Sequence, residues 1–203
     1  MVISPLLEIK PLGRTPDTSS YAGFVFTSAH AVEFSEHGDA RAAFCVGERT
    51  AQAARRHGWD VRHVAKDAAE LIEEFAKAPV TAPLLHLAGR HRRGEIDMRL
   101  TALGIQTDTI VVYDQIAVPL TTETSDLVEG EAVVILPLFS PRTAVQFRTL
   151  VTKAPHVHVI ALSQAVADAL QGLPMGSLHI VAAPNGHAMQ AHVEKLLRKN
   201  SLP

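Results

Sequence analysis

Strand-like and helix-like segments alternate along almost the whole chain from residue 23 onward. Short apolar runs typical of strands precede segments of high helix propensity, of which residues 49–56, closed by Gly58, are the clearest example. Strands that alternate with crossover helices are typical of parallel sheets. The sequence therefore predicts an α/β fold built on doubly wound, mostly parallel sheets.

The predicted elements fall into two series, separated by a break at residues 118–125, which are rich in threonine and contain a proline. Before the break we predict strands at residues 23–27, 43–47, 60–64, 83–88 and 105–113, with helices at 29–35, 48–57, 68–77 and 94–103. After it we predict strands at 132–137, 156–162 and 177–182, with helices at 142–151, 164–171 and 187–198.

The two series resemble each other, which indicates duplication of one βαβαβ unit. FTSAHAVEF at residues 26–34 parallels FSPRTAVQF at 139–147, since in each an aromatic and a small polar residue precede Ala-Val-x-Phe. Chance similarity between α/β segments is the alternative. The second series has three strand–helix units and the first has four. We therefore expect the extended segment at residues 2–9 to complete the second half, which would make one domain discontinuous.

Composition narrows the class of protein. The net charge of −2 gives no general attraction to nucleic acid or anionic lipid, so neither a nucleic acid nor a membrane is expected as a partner. The single cysteine, Cys45, excludes an internal disulfide and fits a reducing compartment. The N-terminal residues lack the pattern of a secretion signal, and no apolar run approaches the ~20 residues of a membrane span. We expect a soluble cytoplasmic protein.

Two classes of cofactor site have no support in the sequence. The glycine-rich motifs of dinucleotide and phosphate-loop sites do not occur, which argues against a nucleotide cofactor. Eleven histidines invite a metal hypothesis, with His86 and His91 five residues apart and His156 and His158 on one strand face, but no metal-binding motif accompanies them. We expect no metal and no cofactor.

Three serines, Ser28, Ser140 and Ser163, lie at predicted strand-to-helix turns. A serine there can cap the helix, or it can help the free N–H groups of the helix start to bind a carboxylate or phosphate. Both interpretations stay open for each serine. None lies in the G-x-S-x-G motif, so a serine nucleophile has little support.

Two further features lie at predicted strand ends. The run Gly89-Arg90-His91-Arg92-Arg93-Gly94 follows an apolar strand and is either a solvated basic loop or an attractor for a polyanionic substrate. Tyr113, one of two tyrosines, ends the last strand of the first series. It either packs with its hydroxyl satisfied or donates a proton to a leaving group.

Taken in order, several short segments make the chain resemble the uroporphyrinogen-III synthase family. Each is weak alone, and together they span nearly the whole sequence. They are LLEIKP at residues 6–11, FTSAHAV at 26–32, VGERTA at 46–51, Leu103-Gly104 with VVY at 111–113, FSPR at 139–142 and the segment 160–165. The last departs from the family's IGPTTA turn and keeps only the hydroxyl of Ser163.

The resemblance implies two related doubly wound α/β domains joined by a two-stranded ladder. Residues 1–8 with 119–203 would form the discontinuous domain, 14–109 the inserted domain, and 9–13 with 110–118 the ladder. The family's usual opening strand, ending in Thr-Arg-Pro, and the helix after it are missing. We therefore expect one side of the discontinuous domain to be uncovered, and a downstream start or truncation would explain this.

The resemblance also implies the chemistry. Such enzymes convert hydroxymethylbilane, a linear tetrapyrrole with eight carboxylates, to uroporphyrinogen III by closing the ring, inverting the last pyrrole and losing water, without a cofactor. Tyr113 matches the tyrosine expected to assist hydroxyl departure. The substrate-binding residues implied are Thr27, Ser28, Ala29, Gly89, Arg90, Ser140, Pro141, Arg142, Ser163 and Gln164.

The resemblance also bears on partners, and two alternative functions remain. The resemblance implies a monomer that receives its substrate from hydroxymethylbilane synthase in a transient contact. Two other functions stay open: a two-domain α/β binding protein for a small anion, and a truncated, inactive relative of the synthases.

Overall fold

The computed structural model describes residues 1–13, 17–78, 80–92 and 94–200. The chain forms two compact units, one of residues Ile9–Ile116 and one of Met1–Glu8 with Ala117–Pro203. Residues 14–16, 79 and 93 of the predicted inserted domain lie outside the described residues, and so do 201–203 of the discontinuous one.

A six-stranded sheet is the centre of the unit Ile9–Ile116, in the order β1-β6-β5-β2-β3-β4. Strands β2 and β5 are buried along their whole length, as central parallel strands covered on both faces must be. The strands are β1 (Leu7–Pro11), β2 (Gly23–Phe26), β3 (Ala42–Val46), β4 (Asp60–Ala65), β5 (Leu84–Gly89) and β6 (Thr107–Ala117). The helices are α1 (Ala29–Glu33), α2 (Glu48–Arg56), α3 (Ala68–Lys77) and α4 (Ile96–Ala102).

The pairing within this sheet is parallel from β6 to β4, because β5 pairs in parallel with β6 and β2, and β3 in parallel with β2 and β4. Apolar side chains form a core on each face. Phe24, Phe26 and Trp59 belong to one core, while Leu71 and Phe75 belong to the other. At the edge strand, the N–H of Leu12 donates to the carbonyl of Val112 at 2.9 Å.

The second unit contains a three-stranded parallel sheet in the order β7-β8-β9. Its elements are α5 (Thr122–Glu129), β7 (Val134–Leu138), α6 (Pro141–Leu150), β8 (Ala154–Ala161), α7 (Gln164–Asp168), β9 (Met175–Ile180) and α8 (Gly186–Asn200). Leu6 packs with Phe147 and Val157 in the larger of its two cores. The N–H of Val118 donates to the carbonyl of Leu6 at 3.0 Å, which fixes the N-terminal segment to this unit.

These observations confirm the predicted α/β fold with parallel-dominated sheets. In each unit three successive strands, β2-β3-β4 and β7-β8-β9, lie side by side in chain order, and the duplication stays a prediction. No helix in the described ranges is long and apolar enough to span a membrane.

Several sequence-based boundaries were wrong: the strand predicted at 105–113 runs from Thr107 to Ala117, so Tyr113 lies within it and not at its end, and two helices differ for reasons that the structure shows. Residues 118–125, predicted as a break, include the start of α5, since the hydroxyl of Thr121 accepts from the Thr124 N–H and caps a helix that buries Val128. Threonine and proline are weak helix formers, so only the cap and the buried face reveal this helix. The predicted helix 164–171 ends at Asp168, because the chain then turns to Gly172, whose φ of 87° ends the helical geometry.

Candidate functional site

The carboxyl ends of β2 and β5 and the neighbouring part of β6 bring together the candidate residues of the unit Ile9–Ile116. Strand β2 ends at Phe26 and leads into Thr27 and Ser28. Gly89, the last residue of β5, pairs with Tyr113 of β6. Because the carboxyl ends of parallel strands meet at one edge of a sheet, these residues share that edge, where open α/β sheets bind their ligands.

Ser28 caps α1 and also contacts Tyr113. Its Oγ accepts hydrogen bonds from the backbone N–H of His30 at 3.2 Å and from the Tyr113 hydroxyl at 3.1 Å. Helix capping and ligand binding by Ser28 would therefore use the same Oγ atom. Both lone pairs of that oxygen already accept a hydrogen bond, so it cannot accept one from a ligand. The hydroxyl hydrogen of Ser28 is the part that can still reach a ligand.

The ring of Tyr113 is held tightly, with only 5% of the residue exposed. His30 and Phe34 pack against it, at ring-centroid distances of 5.9 and 6.0 Å. A Cβ atom at Gly89 would come within 2.7 Å of the Tyr113 hydroxyl oxygen, so any side chain there would displace the ring. Gly89 is thus a residue that provides space for Tyr113.

The basic residues that follow β5 form ion pairs with acidic residues, which the sequence of the run does not show. Arg90 Nε lies 3.0 Å from one oxygen of Asp114, and His91 Nε2 lies 3.2 Å from the other. Arg92 pairs with Asp97 at 3.5 Å, and Arg93 lies outside the described residues. The positive charge near the sheet edge is therefore smaller than the run Arg90–Arg92 suggests, although 59% of the Arg90 side chain stays exposed.

Sequence reasoning missed a polar network below Thr27. His86, which is only 3% exposed, lies between two threonines: its Nε2 is 3.2 Å from Thr27 Oγ1 and its Nδ1 is 3.3 Å from Thr109 Oγ1. Burial lowers the pKa of His86 to about 4, and the charge of Arg92 adds to this effect while Asp97 opposes it. The available signal was one polar residue within the apolar strand LLHLAG.

The second unit brings Ser140 and Ser163 to neighbouring strand ends, since Leu138 of β7 pairs with Ala161 of β8. Ser140 caps α6: its Oγ accepts from the N–H of Thr143 at 3.1 Å and lies 2.7 Å from the Thr143 hydroxyl. Pro141 at the first helical position contributes no N–H. Arg142 follows it, partly buried.

Ser163 and Gln164 differ from that arrangement. The Ser163 side chain makes no capping hydrogen bond to α7, which leaves its hydroxyl available to a ligand. The Gln164 amide donates to Asp168 at 2.7 Å, so binding a substrate with it requires breaking that bond. Helices α1 and α7 have five residues each and α6 has ten, so the helix-dipole contribution to anion binding is expected mainly at α6.

Comparison with known proteins decides the family. A family model described as uroporphyrinogen-III synthase HemD matches residues 1–191.

The chain belongs to the uroporphyrinogen-III synthase family.

Solved structures of uroporphyrinogen-III synthases support the fold. The Helicobacter pylori enzyme superposes with a TM-score of 0.73 at 21% identity, covering 94% of this chain and 91% of that chain. A mutant enzyme from the extremely thermophilic bacterium Thermus thermophilus superposes with a TM-score of 0.51 at 13% identity, covering 96% and 88%. No curated protein matches the sequence.

Family membership confirms the prediction made from the ordered motifs. Uroporphyrinogen-III synthases are cyclising lyases of tetrapyrrole biosynthesis that act on hydroxymethylbilane, and the chain is a member of that enzyme class. Within the described residues, no group of three or more His, Cys, Asp or Glu side chains is arranged to hold a metal ion.

Proposed function

We propose that this chain converts hydroxymethylbilane to uroporphyrinogen III, with Tyr113 as the group that assists departure of the terminal hydroxyl. The observation that carries the proposal is the Tyr113 hydroxyl of β6, which contacts Ser28 Oγ at 3.1 Å beside the carboxyl ends of β2 and β5. Both residues lie in segments that carry the family resemblance.

Tyr113 suits this step because its ring is fixed and its hydroxyl lies next to Gly89, the last residue of β5. Its O–H, which donates to Ser28 Oγ in the substrate-free chain, would turn to the leaving oxygen as the C–O bond breaks, so that water departs and the ring nitrogen supplies the electron pair of the azafulvene. The substituted α-carbon of the last pyrrole attacks the azafulvene methylene carbon and gives the spiro intermediate. The bond from that α-carbon to the preceding methylene then breaks, that methylene carbon bonds to the free α-carbon of the same pyrrole, and the proton lost there returns to the tyrosine. A positioned acid of this kind contributes about 10²–10⁴-fold to a rate.

The remaining proposed residues bind and bend the substrate. They are Thr27, Ser28, Ala29, Gly89, Arg90, Ser140, Pro141, Arg142, Ser163 and Gln164. Three observations support the set: the exposed guanidinium of Arg90, the uncommitted hydroxyl of Ser163 and the ten-residue helix behind Ser140. Gly89 acts indirectly, through the space that it leaves for Tyr113.

We also infer the domain roles and partners. The units Ile9–Ile116 and Met1–Glu8 with Ala117–Pro203 would be the inserted and discontinuous domains, and residues 9–13 with 110–118 the ladder, an interpretation supported by the Leu12–Val112 hydrogen bond. The chain would act as a cytoplasmic monomer without a cofactor. Transient contact with hydroxymethylbilane synthase would favour capture of a substrate that otherwise closes spontaneously to the I isomer.

One assay tests the function. Hydroxymethylbilane is supplied to the purified chain and the product isomers are separated after oxidation to porphyrins. We expect the III isomer in excess of the I isomer formed without enzyme. Only I isomer together with tight binding of uroporphyrinogen would show an inactive relative, and neither III isomer nor binding would refute the proposal.

A further inference from the structure

His30, the second residue of α1, is in contact with Tyr113. The two rings meet edge to face, with 5.9 Å between their centroids and 66° between their planes. The backbone N–H of His30 donates to Ser28 Oγ at 3.2 Å, and the same oxygen accepts from the Tyr113 hydroxyl at 3.1 Å. One serine oxygen therefore holds both residues just beyond the carboxyl end of β2.

A carboxylate orients the imidazole of His30. Its Nδ1 lies 3.0 Å from Oε2 of Glu33, three residues further along α1. Because a carboxylate only accepts hydrogen bonds, Nδ1 carries the hydrogen of this contact. The structure shows no hydrogen-bond partner for Nε2 among the residues that it describes. In the neutral ring, Nε2 is then an acceptor that can take a proton from a substrate.

Tyr113 needs a neighbour that can return its proton. Once its hydroxyl has protonated the leaving oxygen, a phenolate remains at a residue that is only 5% exposed, and burial disfavours an unpaired charge there. Ser28, His30 and Phe34 contact Tyr113 through a hydrogen bond or a ring contact. Of these three side chains, only an imidazole readily gains and loses a proton near neutral pH.

We propose that His30 is a catalytic base: its Nε2 removes the proton that the last pyrrole loses when the ring closes, and the imidazolium returns this proton to Tyr113. The proposal rests on the proposed function. After the methylene carbon has bonded to the free α-carbon, the C–H bond at that carbon breaks and its electron pair restores the aromatic pyrrole. The proton passes to Nε2 and from there to the phenolate oxygen, so both residues end the cycle as they began it.

Two positions on the substrate require proton transfer, and two residues suit them. The leaving oxygen belongs to the first pyrrole's hydroxymethyl group, whereas the proton comes from the last pyrrole. Tyr113 is held by its buried ring against Gly89 and cannot follow from one position to the other. Glu33 would stabilise the positive charge that forms on His30, as a carboxylate does beside a catalytic histidine.

The first test removes the base and keeps a ring against Tyr113. His30→Phe should lower kcat for the III isomer about a hundredfold with KM nearly unchanged, the lower end for a positioned base, because water can replace it slowly. His30→Gln, a smaller polar variant, should show the same loss, and circular dichroism checks that both variants fold. Glu33→Gln should lower kcat less, since the base itself remains. A wild-type kcat in either folded His30 variant would overturn the proposal.

An isotope effect separates proton removal from packing. Hydroxymethylbilane that carries deuterium at the free α-carbon of the last pyrrole labels the proton that His30 would remove. We expect a primary isotope effect on kcat in His30→Phe, because loss of this proton becomes rate-limiting. We expect none in Tyr113→Phe, where departure of the hydroxyl limits the rate. A slow His30→Phe enzyme without an isotope effect would show that His30 only packs against Tyr113, which contradicts the proposal.

His91 supplies a matched control. Its Nε2 lies 3.2 Å from Asp114, and its side chain is 40% exposed, close to the 36% of His30. Tyr113 and Asp114 are consecutive residues of β6, so their side chains lie on opposite faces of the sheet. His91→Phe removes a carboxylate-paired imidazole from that other face and should leave kcat and the isotope effect at their wild-type values. Equal losses in the two variants would count against a specific role of His30.

The outcomes separate this proposal from the proposed function. If the wild-type chain forms the III isomer and His30→Phe forms it equally fast, the role of His30 is refuted and the proposed function stands. If the wild-type chain forms no III isomer, both are refuted.

Discussion

Replacing Tyr113 by phenylalanine removes one oxygen from the centre of the candidate site and leaves the ring in place. The packing against His30 and Phe34 depends on the ring and is retained. The lost interaction is a neutral hydrogen bond of 3.1 Å to Ser28, so the free energy of unfolding should fall by only about 0.5–1.5 kcal/mol. A larger effect on activity than on stability is therefore a direct sign of a chemical role.

The expected loss of activity follows from the reaction. A positioned general acid contributes about 10²–10⁴-fold, and hydroxymethylbilane also loses its hydroxyl spontaneously, so the lower end applies. We expect kcat for the III isomer to fall about a hundredfold, with KM nearly unchanged. The assay follows III and I isomers separately under saturating substrate, which shows whether spontaneous closure replaces the catalysed reaction.

The chain supplies a matched control for this prediction. Tyr21 lies in the same unit, and its hydroxyl donates to Asp108 at 2.8 Å on the surface. Tyr21→Phe makes the same chemical change away from the sheet edge and should leave kcat and KM as they are. The reasoning would be refuted by a Tyr113→Phe enzyme with wild-type kcat, or by equal losses in both variants.

Four further predictions concern the site and the core. Gly89→Ala should lower III-isomer formation strongly and reduce the free energy of unfolding by about 1–3 kcal/mol, because its Cβ would displace the Tyr113 ring; kinetics and thermal unfolding check this. Ser28→Ala should raise KM more than it lowers kcat and cost about 1 kcal/mol of stability through the lost helix cap; a large fall in kcat at saturating substrate would reopen a nucleophilic role. His86 should make stability depend on pH: with its pKa at about 4 in the folded chain and near 6.5 in the unfolded one, the folded state binds fewer protons in between. Its contribution, on the order of 3 kcal/mol, is therefore complete above pH ~6.5 and lost as the pH falls towards 4; chemical unfolding at several pH values should show a flatter profile in His86→Asn. Burial raises the pKa of Cys45 to about 12, so a thiol reagent at about pH 8 should react with the denatured chain and not with the folded one.

Much of the fold could be predicted from local pattern. The helix at Ala68–Lys77 matches the prediction residue for residue. Strand β2 is one residue shorter than predicted, and β3 and β5 are each shifted by one residue at both ends. In the sequence, these elements show a marked apolar face or an unbroken apolar run. The errors at α5 and α7 occur where residues of weak helix propensity depend on a cap, or where a turn ends a helix early.

The candidate site was predictable only in part. The positions of Ser28, Ser140 and Ser163 at helix starts follow from the order of elements, and the structure places each there. The residues that contact these site residues could not be predicted from the order of elements. Asp114 beside Arg90, Asp168 beside Gln164 and the space that Gly89 leaves for Tyr113 all depend on side-chain positions that a linear pattern does not contain.

The sequence by itself determined the class of fold and, through its ordered motifs, the family, because both can be read from short segments of the chain. Only the tertiary structure brought Thr27, His86 and Thr109 into contact below the site. Thr27 and His86 are 59 residues apart and His86 and Thr109 are 23 apart, and they meet because β2, β5 and β6 lie side by side in register. A hydroxyl or imidazole acquires its role as donor or acceptor from its neighbours in space, and parallel pairing supplies those neighbours from distant parts of the chain.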